Sequence, residues 1–306
     1  MNNQELIYKI TSLIPKGKVL TYGQLASLAG VGSPRVIGSI LHNNSDPKNV
    51  YCYRVVNIQG EVATNYAFGG ASEQKKKLKN DGVNFKNVKV NLEKSSWRPS
   101  KVLLLYFDLL KKYGAPGPWP WFPSILASAG QTPSKPEEIA IGAILAQKTS
   151  WKNAEKAIED LKKEEVCTIR GVYKLGKSDY KKLKTLIQPA GLYNQKTNYL
   201  FGFCKYIIKN PKTMENFFNL SLDKVRLELL KLNGIGKETA DTILLYAGNK
   251  PIFVVDSYTK RFVDKHELKT DLNYDSVQKF FTKRIPQNLE LYQEYHALIV
   301  RSGKDK

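Results

Sequence analysis

Between Val225 and Arg261 the chain reads VRLELLKLNGIGKETADTILLYAGNKPIFVVDSYTKR, and this stretch restricts the fold more than any other. An amphipathic helix is expected to end at Lys231-Leu232. A tight hairpin follows over Asn233-Gly234-Ile235-Gly236-Lys237, and a second helix is expected from Thr239 through Leu245. Glycines one residue apart let the backbone turn sharply and let another backbone come close. The N–H groups of Gly234 and Gly236 would then point outward beside the start of the second helix, which suits a phosphate oxygen. Past Gly248 a short apolar run, Ile252-Phe253-Val254-Val255, ends on Asp256. A carboxylate closing such a run is poorly solvated, so a raised pKa is expected.

A GxG turn between helices is, taken alone, only a turn. LNGIGKETADTILLYA followed at this distance by FVVDSYTKR is more specific. It resembles the helix-hairpin-helix, Gly/Pro-rich loop and aspartate of the endonuclease III superfamily of DNA glycosylases. The resemblance implies an all-α, two-lobed domain with Asp256 as its catalytic carboxylate. It also implies DNA contacts by Gly234, Gly236 and Lys237. Elsewhere, Gln147-Lys148-Thr149-Ser150-Trp151 resembles the family turn whose glutamine fills the gap left by a flipped base, here Gln147. GLYNQK at 191–196 matches GLYNxKA, whose leucine wedges into the duplex, here Leu192. Trp119-Pro120-Trp121-Phe122-Pro123 resembles the aromatic-Pro segment of the 3-methyladenine branch. Trp119, Trp121 and Phe122 would stack on the flipped base, at ~1–3 kcal/mol per base.

Two departures narrow the branch. Bifunctional members carry a lysine just before TA in the hairpin, and here that position is Glu238. Lys237 lies one residue earlier, about 100° around a helix, and is expected to face phosphate rather than the pocket. YHALIVRSGKDK matches the family and then stops before the four-cysteine loop of iron–sulfur members. Both departures point to the monofunctional, cluster-free branch, so no metal and no cofactor are expected.

Composition agrees with a polyanionic partner. Among 306 residues, 48 Lys and Arg stand against 28 Asp and Glu, a net charge of +20, and nucleic acid is the first candidate for such a balance. Double-stranded DNA with alkylated or damaged bases is the expected partner, bound by a monomer. No run of ~18 apolar residues is present, so no membrane span is expected. The start, MNNQELIYKI, lacks a signal-peptide core, so a cytoplasmic, nucleoid-associated protein is expected. Cys52, Cys167 and Cys204 are scattered and odd in number, which suggests neither a disulfide framework nor a zinc site.

At this length two domains are the default; the expected division is 1–98 and 99–306. Residues 1 to about 95 read as a small α/β module. Helices are expected over Glu5–Leu13, Tyr22–Ala29 and Arg35 to about Leu41, the last capped by Ser33 with Pro34 behind it. Tyr51–Val56 and the stretch around Val62 suggest a hairpin with Gln59-Gly60 at its tip. IPKGKVLTYGQLASLAG, PRVIGSILHNN, YCYRVVNIQG and FGG with LKNDGV resemble the DNA-binding half of O6-alkylguanine-DNA alkyltransferases and alkyltransferase-like proteins. Carried across, Tyr22 would press on the lesion phosphate. Arg35 would hold the space of the flipped base, and Asn44 would buttress the cysteine loop. In that family the nucleophile lies in PCHR. Here Tyr51 and Tyr53 flank Cys52, and Asp81 stands in place of the family's glutamate. A tyrosine with a pKa near ~10 is a poor base, and a thiol near about 8.5 stays mostly protonated without help.

The expectation is therefore a winged-helix-like α/β module that senses alkylguanine, with Tyr53 in its pocket wall. An all-α glycosylase excising an alkylated purine such as 3-methyladenine comes after it. Two alternatives stay open: a bifunctional enzyme in which Cys52 also accepts alkyl groups, and a non-catalytic recruitment protein. Cys52 is equally readable as a small buried hydrophobe.

Overall fold

The computed structural model describes residues 1–116 and 135–305. Trp119, Trp121 and Phe122 lie outside them. The chain splits into two compact units: Met1–Ala115 with Arg284–Pro286, and Pro116–Lys283 with Gln287–Lys306. The described residues are mostly helical, with short strands confined to the first unit.

The first unit opens on the helix Asn3–Ser12, closed at its start by a capping box between Asn2 and Glu5. Leu6, Ile7 and Ile10 form its buried face. Leu20–Thr21 then pairs in parallel with Val55–Val56. Thr21 caps the helix Tyr22–Ala29 by a capping box with Gln24, and Gly30 at φ 71° ends it in the left-handed region. Ser33 caps Pro34–His42 as expected.

The expected hairpin after Tyr51 does not form. Asn57 N does donate to Glu61 O at 3.0 Å, but among the described residues no ladder continues past that turn. Gln74, fully buried on the helix Gly70–Asn80, takes the ladder's place. Its Nε2 donates to Tyr53 O at 3.1 Å and Val55 O at 3.0 Å, and its Oε1 accepts from Ala63 N at 2.8 Å. One amide satisfies the backbone groups that a second strand would have paired.

The helix Lys101–Tyr113 buries Val102, Leu103, Tyr106, Phe107 and Leu110 and packs on Asn3–Ser12 and Tyr22–Ala29. It belongs to the first unit, so the division falls after Ala115 and not after residue 98. The linker-like SSWRPS at 95–100 hides this: Trp97 N donates to Val19 O at 2.8 Å and Val19 N to Ser95 O at 2.8 Å, which pins the segment as an edge of the same unit.

In the second unit the apolar helix Pro136–Leu145 is buried on nearly all sides. Trp151–Lys163, Ile169–Ser178, Tyr180–Ile187 and the long Tyr193–Lys209 follow it. The helix Ile169–Ser178 is not apparent from its composition, because Gly171 and Gly176 weaken it. Packing explains the second glycine: a Cβ on Gly176 would stand 2.4 Å from the Phe201 ring. Leu222–Leu230 and Lys237–Thr242 form the helical pair of the hairpin. The second of these starts two residues earlier than expected and passes into a π-helical segment, Ile243–Ala247. Ser257–Lys265, Tyr274–Thr282 and Leu289–Lys304 complete the unit. Phe253 stacks on Phe281 at 4.4 Å and meets Tyr292 and Tyr295 edge-on, so the run before Asp256 is anchored in an aromatic core.

Candidate active site

The hairpin is held from both sides. Gly234 has φ 79°, and a Cβ there would lie 2.2 Å from the Tyr199 ring, so only glycine fits. Gly236 has open space around it, and no side chain caps the helix after it. Asp241, fully buried on that helix, accepts from Arg226 Nε at 2.6 Å and Nη2 at 3.1 Å, Tyr274 Oη at 2.7 Å and Gln278 Nε2 at 2.8 Å. This carboxylate ties the hairpin to Leu222–Leu230 and Tyr274–Thr282, with three of its four donors on Oδ2. Lys237 is exposed, and its ammonium pairs with Asp275 rather than with Asp256.

Asp256 caps the helix Ser257–Lys265. Its Oδ1 accepts from Thr259 N at 2.7 Å and Thr259 Oγ1 at 2.9 Å, and its Oδ2 lies 3.5 Å from His296 Nε2. The expected upward pKa shift is reversed. Burial does push the carboxyl up, and it is the largest single influence. The His296 imidazole and the two Thr259 donors together outweigh it, leaving Asp256 below the ordinary aspartate range. The apolar run before Asp256 is a sound signal of burial but carries no information about what the next helix start and the last helix donate.

His296 is 5% exposed. Its Nδ1 is 2.7 Å from the Tyr246 hydroxyl. Tyr246 reaches it from the π-helical segment, a local widening that is frequent at functional sites. Gln293 Nε2 donates to Leu245 O at 2.9 Å and fixes the same segment to the last helix. Tyr246, His296 and Asp256 thus form a chain from the core to the carboxylate. Sequence reasoning misses the first two; YHALIV carries only a family match, and nothing local links it to VVD 40 residues earlier.

Glu238, in the first turn of Lys237–Thr242, faces the same place. Burial raises its pKa, and the negative charge of Asp256 adds to that. The Glu238 side chain nevertheless keeps solvent exposure, so the two carboxyls differ in the direction of their shifts and in how far each is enclosed.

Gln147 is brought to the hairpin: its Nε2 donates to Gly234 O at 2.8 Å and Thr239 Oγ1 at 3.0 Å. Leu192 is 51% exposed, with φ 45° at the start of Tyr193–Lys209. A large apolar side chain held out to solvent on left-handed backbone is unfavourable in two ways at once.

The first unit holds a cavity of about 780 Å³, lined by Tyr22, Arg35, Gly38, Cys52, Ile58 and Tyr66 among others. Arg35 is exposed at its edge. Cys52 is 4% exposed and receives Asn44 Nδ2 at 3.4 Å, with the Tyr66 hydroxyl at 3.8 Å. Asn44 also donates to Val50 O at 3.0 Å, bracing the loop from below. Burial and the neighbouring Cys52 raise the pKa of Tyr22. Tyr53 sends its hydroxyl to Asp81 Oδ2 at 2.9 Å. Burial and that bond push its pKa up to about 12. Arg54 joins the same carboxylate at 2.6 Å and lies over the Tyr51 ring at 4.1 Å.

Two family models match the chain. Residues 2–83 match the 6-O-methylguanine DNA methyltransferase DNA-binding domain, and residues 141–287 match the HhH-GPD superfamily base excision DNA repair protein. The putative DNA repair glycosylase of Methanocaldococcus jannaschii is 45% identical over 170 residues, which are 55% of this chain and 76% of that protein. A DNA base-flipping protein of Vibrio parahaemolyticus is 35% identical over 95 residues, 30% of this chain and 93% of that one. Among solved structures, the H. pylori 3-methyladenine DNA glycosylase bound to 1,N6-ethenoadenine superposes with a TM-score of 0.53 at 30% identity. It covers 66% of this chain and 94% of that one. The hairpin, the buried aspartate and these matches together place the chain in the HhH-GPD superfamily of base excision DNA repair proteins, as a DNA glycosylase with an N-terminal alkyltransferase-like domain.

Proposed function

We propose that the second unit is a monofunctional glycosylase that flips an alkylated purine such as 3-methyladenine out of duplex DNA and hydrolyses its N-glycosidic bond. The observation that carries this reading is the geometry at Asp256, whose carboxylate is held by two Thr259 donors with His296 Nε2 3.5 Å away, together with a glutamate, Glu238, at the hairpin position where bifunctional relatives place an amine. Two lysines with recorded partners do not take the amine's place. Lys237 pairs with Asp275, and the Lys196 ammonium donates to backbone carbonyls.

An alkylated purine is already cationic, so the bond from C1′ to nitrogen breaks with its electron pair leaving on the base. The base departs neutral. The oxocarbenium-like sugar left behind is stabilised by the Asp256 carboxylate. Water then adds to C1′ while Asp256 accepts its proton. The products are the free base and an intact abasic site. His296 and Tyr246 keep Asp256 ionised and aimed through this sequence. Gln147 and Leu192 would occupy the duplex once the base has left it. Release of free base from methylated duplex tests the reading, with borohydride trapping as the control. A covalent protein–DNA adduct on the catalytic path would remove it.

For the first unit we propose a sensor of O6-alkylguanine that does not repair it. The Tyr53 hydroxyl is committed to Asp81 and titrates far above neutrality, which leaves Cys52 without a base.

A further inference from the structure

Lys196 is 1% exposed, and its ammonium is held by two backbone carbonyls: Leu145 O at 2.8 Å and Ala190 O at 2.7 Å. Both carbonyls are at helix ends. Leu145 is the last residue of Pro136–Leu145, and Ala190 closes the 3-10 turn Gln188–Ala190. The last carbonyls of a helix lack intrahelical partners and carry the negative end of its dipole, so one cation between two such ends satisfies both. Burying it has a cost, seen in a pKa pulled down to about 8 by loss of solvent. An apolar side chain would fill the space without that cost.

The residues just past each carbonyl make the placement informative. Gln147 is two residues past Leu145, with Lys148 behind it at φ 48°. Leu192 is two residues past Ala190, behind Gly191 at φ 67° and itself at φ 45°. Two strained turns, each presenting one of the residues that would enter the duplex, are thus pinned by the same ammonium. Gln147 in turn bonds the hairpin through Gly234 O and Thr239 Oγ1. The three elements that would meet DNA are cross-linked through two side chains.

Resting on the flipping reading above, we infer that Lys196 is a positioning residue that fixes the Gln147 and Leu192 turns in register, so that both enter the duplex as one unit. It touches neither base nor sugar. Its loss is therefore expected to damage extrusion of the base and to spare the chemistry after it.

The test uses the full chain, comparing wild type, Lys196→Met and Leu192→Ala. Two measurements separate positioning from general damage. One is the fluorescence of 2-aminopurine beside a tetrahydrofuran abasic analogue in duplex, which rises when inserted side chains unstack it and needs no glycosylase activity. The other is single-turnover release of methylated base from duplex and from single-stranded DNA. Lys196→Met is expected to suppress the fluorescence rise and to slow duplex excision on the order of 10- to 100-fold. It should leave single-strand excision within about threefold. Equal loss on both substrates, or wild-type fluorescence, overturns the assignment. If Lys196→Met has no cooperative melting transition, Lys196→Gln retains an uncharged amide donor group and is held to the same criteria. Base release by wild type without a fluorescence rise would instead remove the flipping reading itself, leaving the glycosylase standing.

Discussion

The two units each place a tyrosine hydroxyl and an aspartate around a potential reactive group, with opposite results. In the second unit Tyr246 bonds His296 and His296 faces Asp256, so the donors converge on the carboxylate and lower its pKa. In the first, Tyr53 stands beside Cys52 in sequence but spends its hydroxyl on Asp81, together with Arg54. The donors converge on a carboxylate rather than on the sulfur, and Cys52 is left with an asparagine amide and a more distant phenol. The comparison teaches that the same residue types build a charged, oriented carboxylate or a structural brace depending on where the hydrogen bonds end. The first unit has a cavity beside a braced cysteine, and the second has an enclosed, hydrogen-bonded carboxylate.

The largest effect should come from Asp256→Asn. The amide keeps the volume and one acceptor for Thr259 but cannot carry negative charge against the sugar cation. Base release should fall on the order of 10²–10³-fold or more, with duplex affinity nearly unchanged in a binding titration. Full activity would break the comparison at its stronger side.

Next is His296→Phe, which fills the same space and removes both contacts. Burial would then act on Asp256 against Thr259 alone, so its pKa should rise. A group with a depressed pKa stays ionised until pH falls through that value, and raising it moves the acid limb of the pH–rate profile to higher pH. A loss of about tenfold or more at neutral pH, growing as pH falls, is expected. A uniform loss at every pH would mean that His296 only packs.

How much of this is readable from the sequence differs between the units for physical reasons. The hairpin and the cap at Asp256 are legible because turns and caps are local, whereas Gln147 and Leu192 are singled out only through the family resemblance of their motifs. Tyr246 and His296 are not legible: Nδ1 meets the hydroxyl only because a π-helical widening faces a helix 50 residues away, and neither periodicity nor composition encodes that bond. The same holds for Gln74, whose single amide replaces an expected strand partner. The direction of the Asp256 shift fails for this reason too, since burial is visible in an apolar run and donors from distant helices are not. Lys101–Tyr113 falls in the wrong unit on sequence alone because a Ser/Pro-rich segment resembles a linker until its backbone pairing is seen.

Arg35→Ala should act in the first unit only. The guanidinium is exposed at the cavity edge. Its loss should reduce the preference of the full chain for O6-methylguanine duplex over undamaged duplex, once Asp256→Asn has silenced the second site, by about tenfold. Affinity for undamaged duplex should change far less and fall with salt in both variants.

The smallest effects are expected at Cys52 and Tyr53, and they sharpen the contrast most. If Cys52 is pocket wall, Cys52→Ala should leave lesion affinity within about twofold, since only a buried sulfur is exchanged for a hydrogen. Intact mass after incubation with excess lesion DNA should show no gain of a methyl group. Tyr53→Phe should be as quiet in binding, yet it has a signature of its own. The folded Tyr53 keeps its proton to about 12, whereas the unfolded tyrosine loses it from the ordinary value of 10.0. Across that window the native state binds more protons than the unfolded one, so the phenol's contribution to stability is present below pH 10 and is lost as pH rises toward 12. Tyr53→Phe should flatten that part of the difference in stability between the two proteins, read as melting temperature against pH. A stoichiometric methyl on Cys52 in the wild type would reverse the assignment. The bond from Tyr53 to Asp81 would then be a way of holding the loop for transfer, and the two units would be two catalysts.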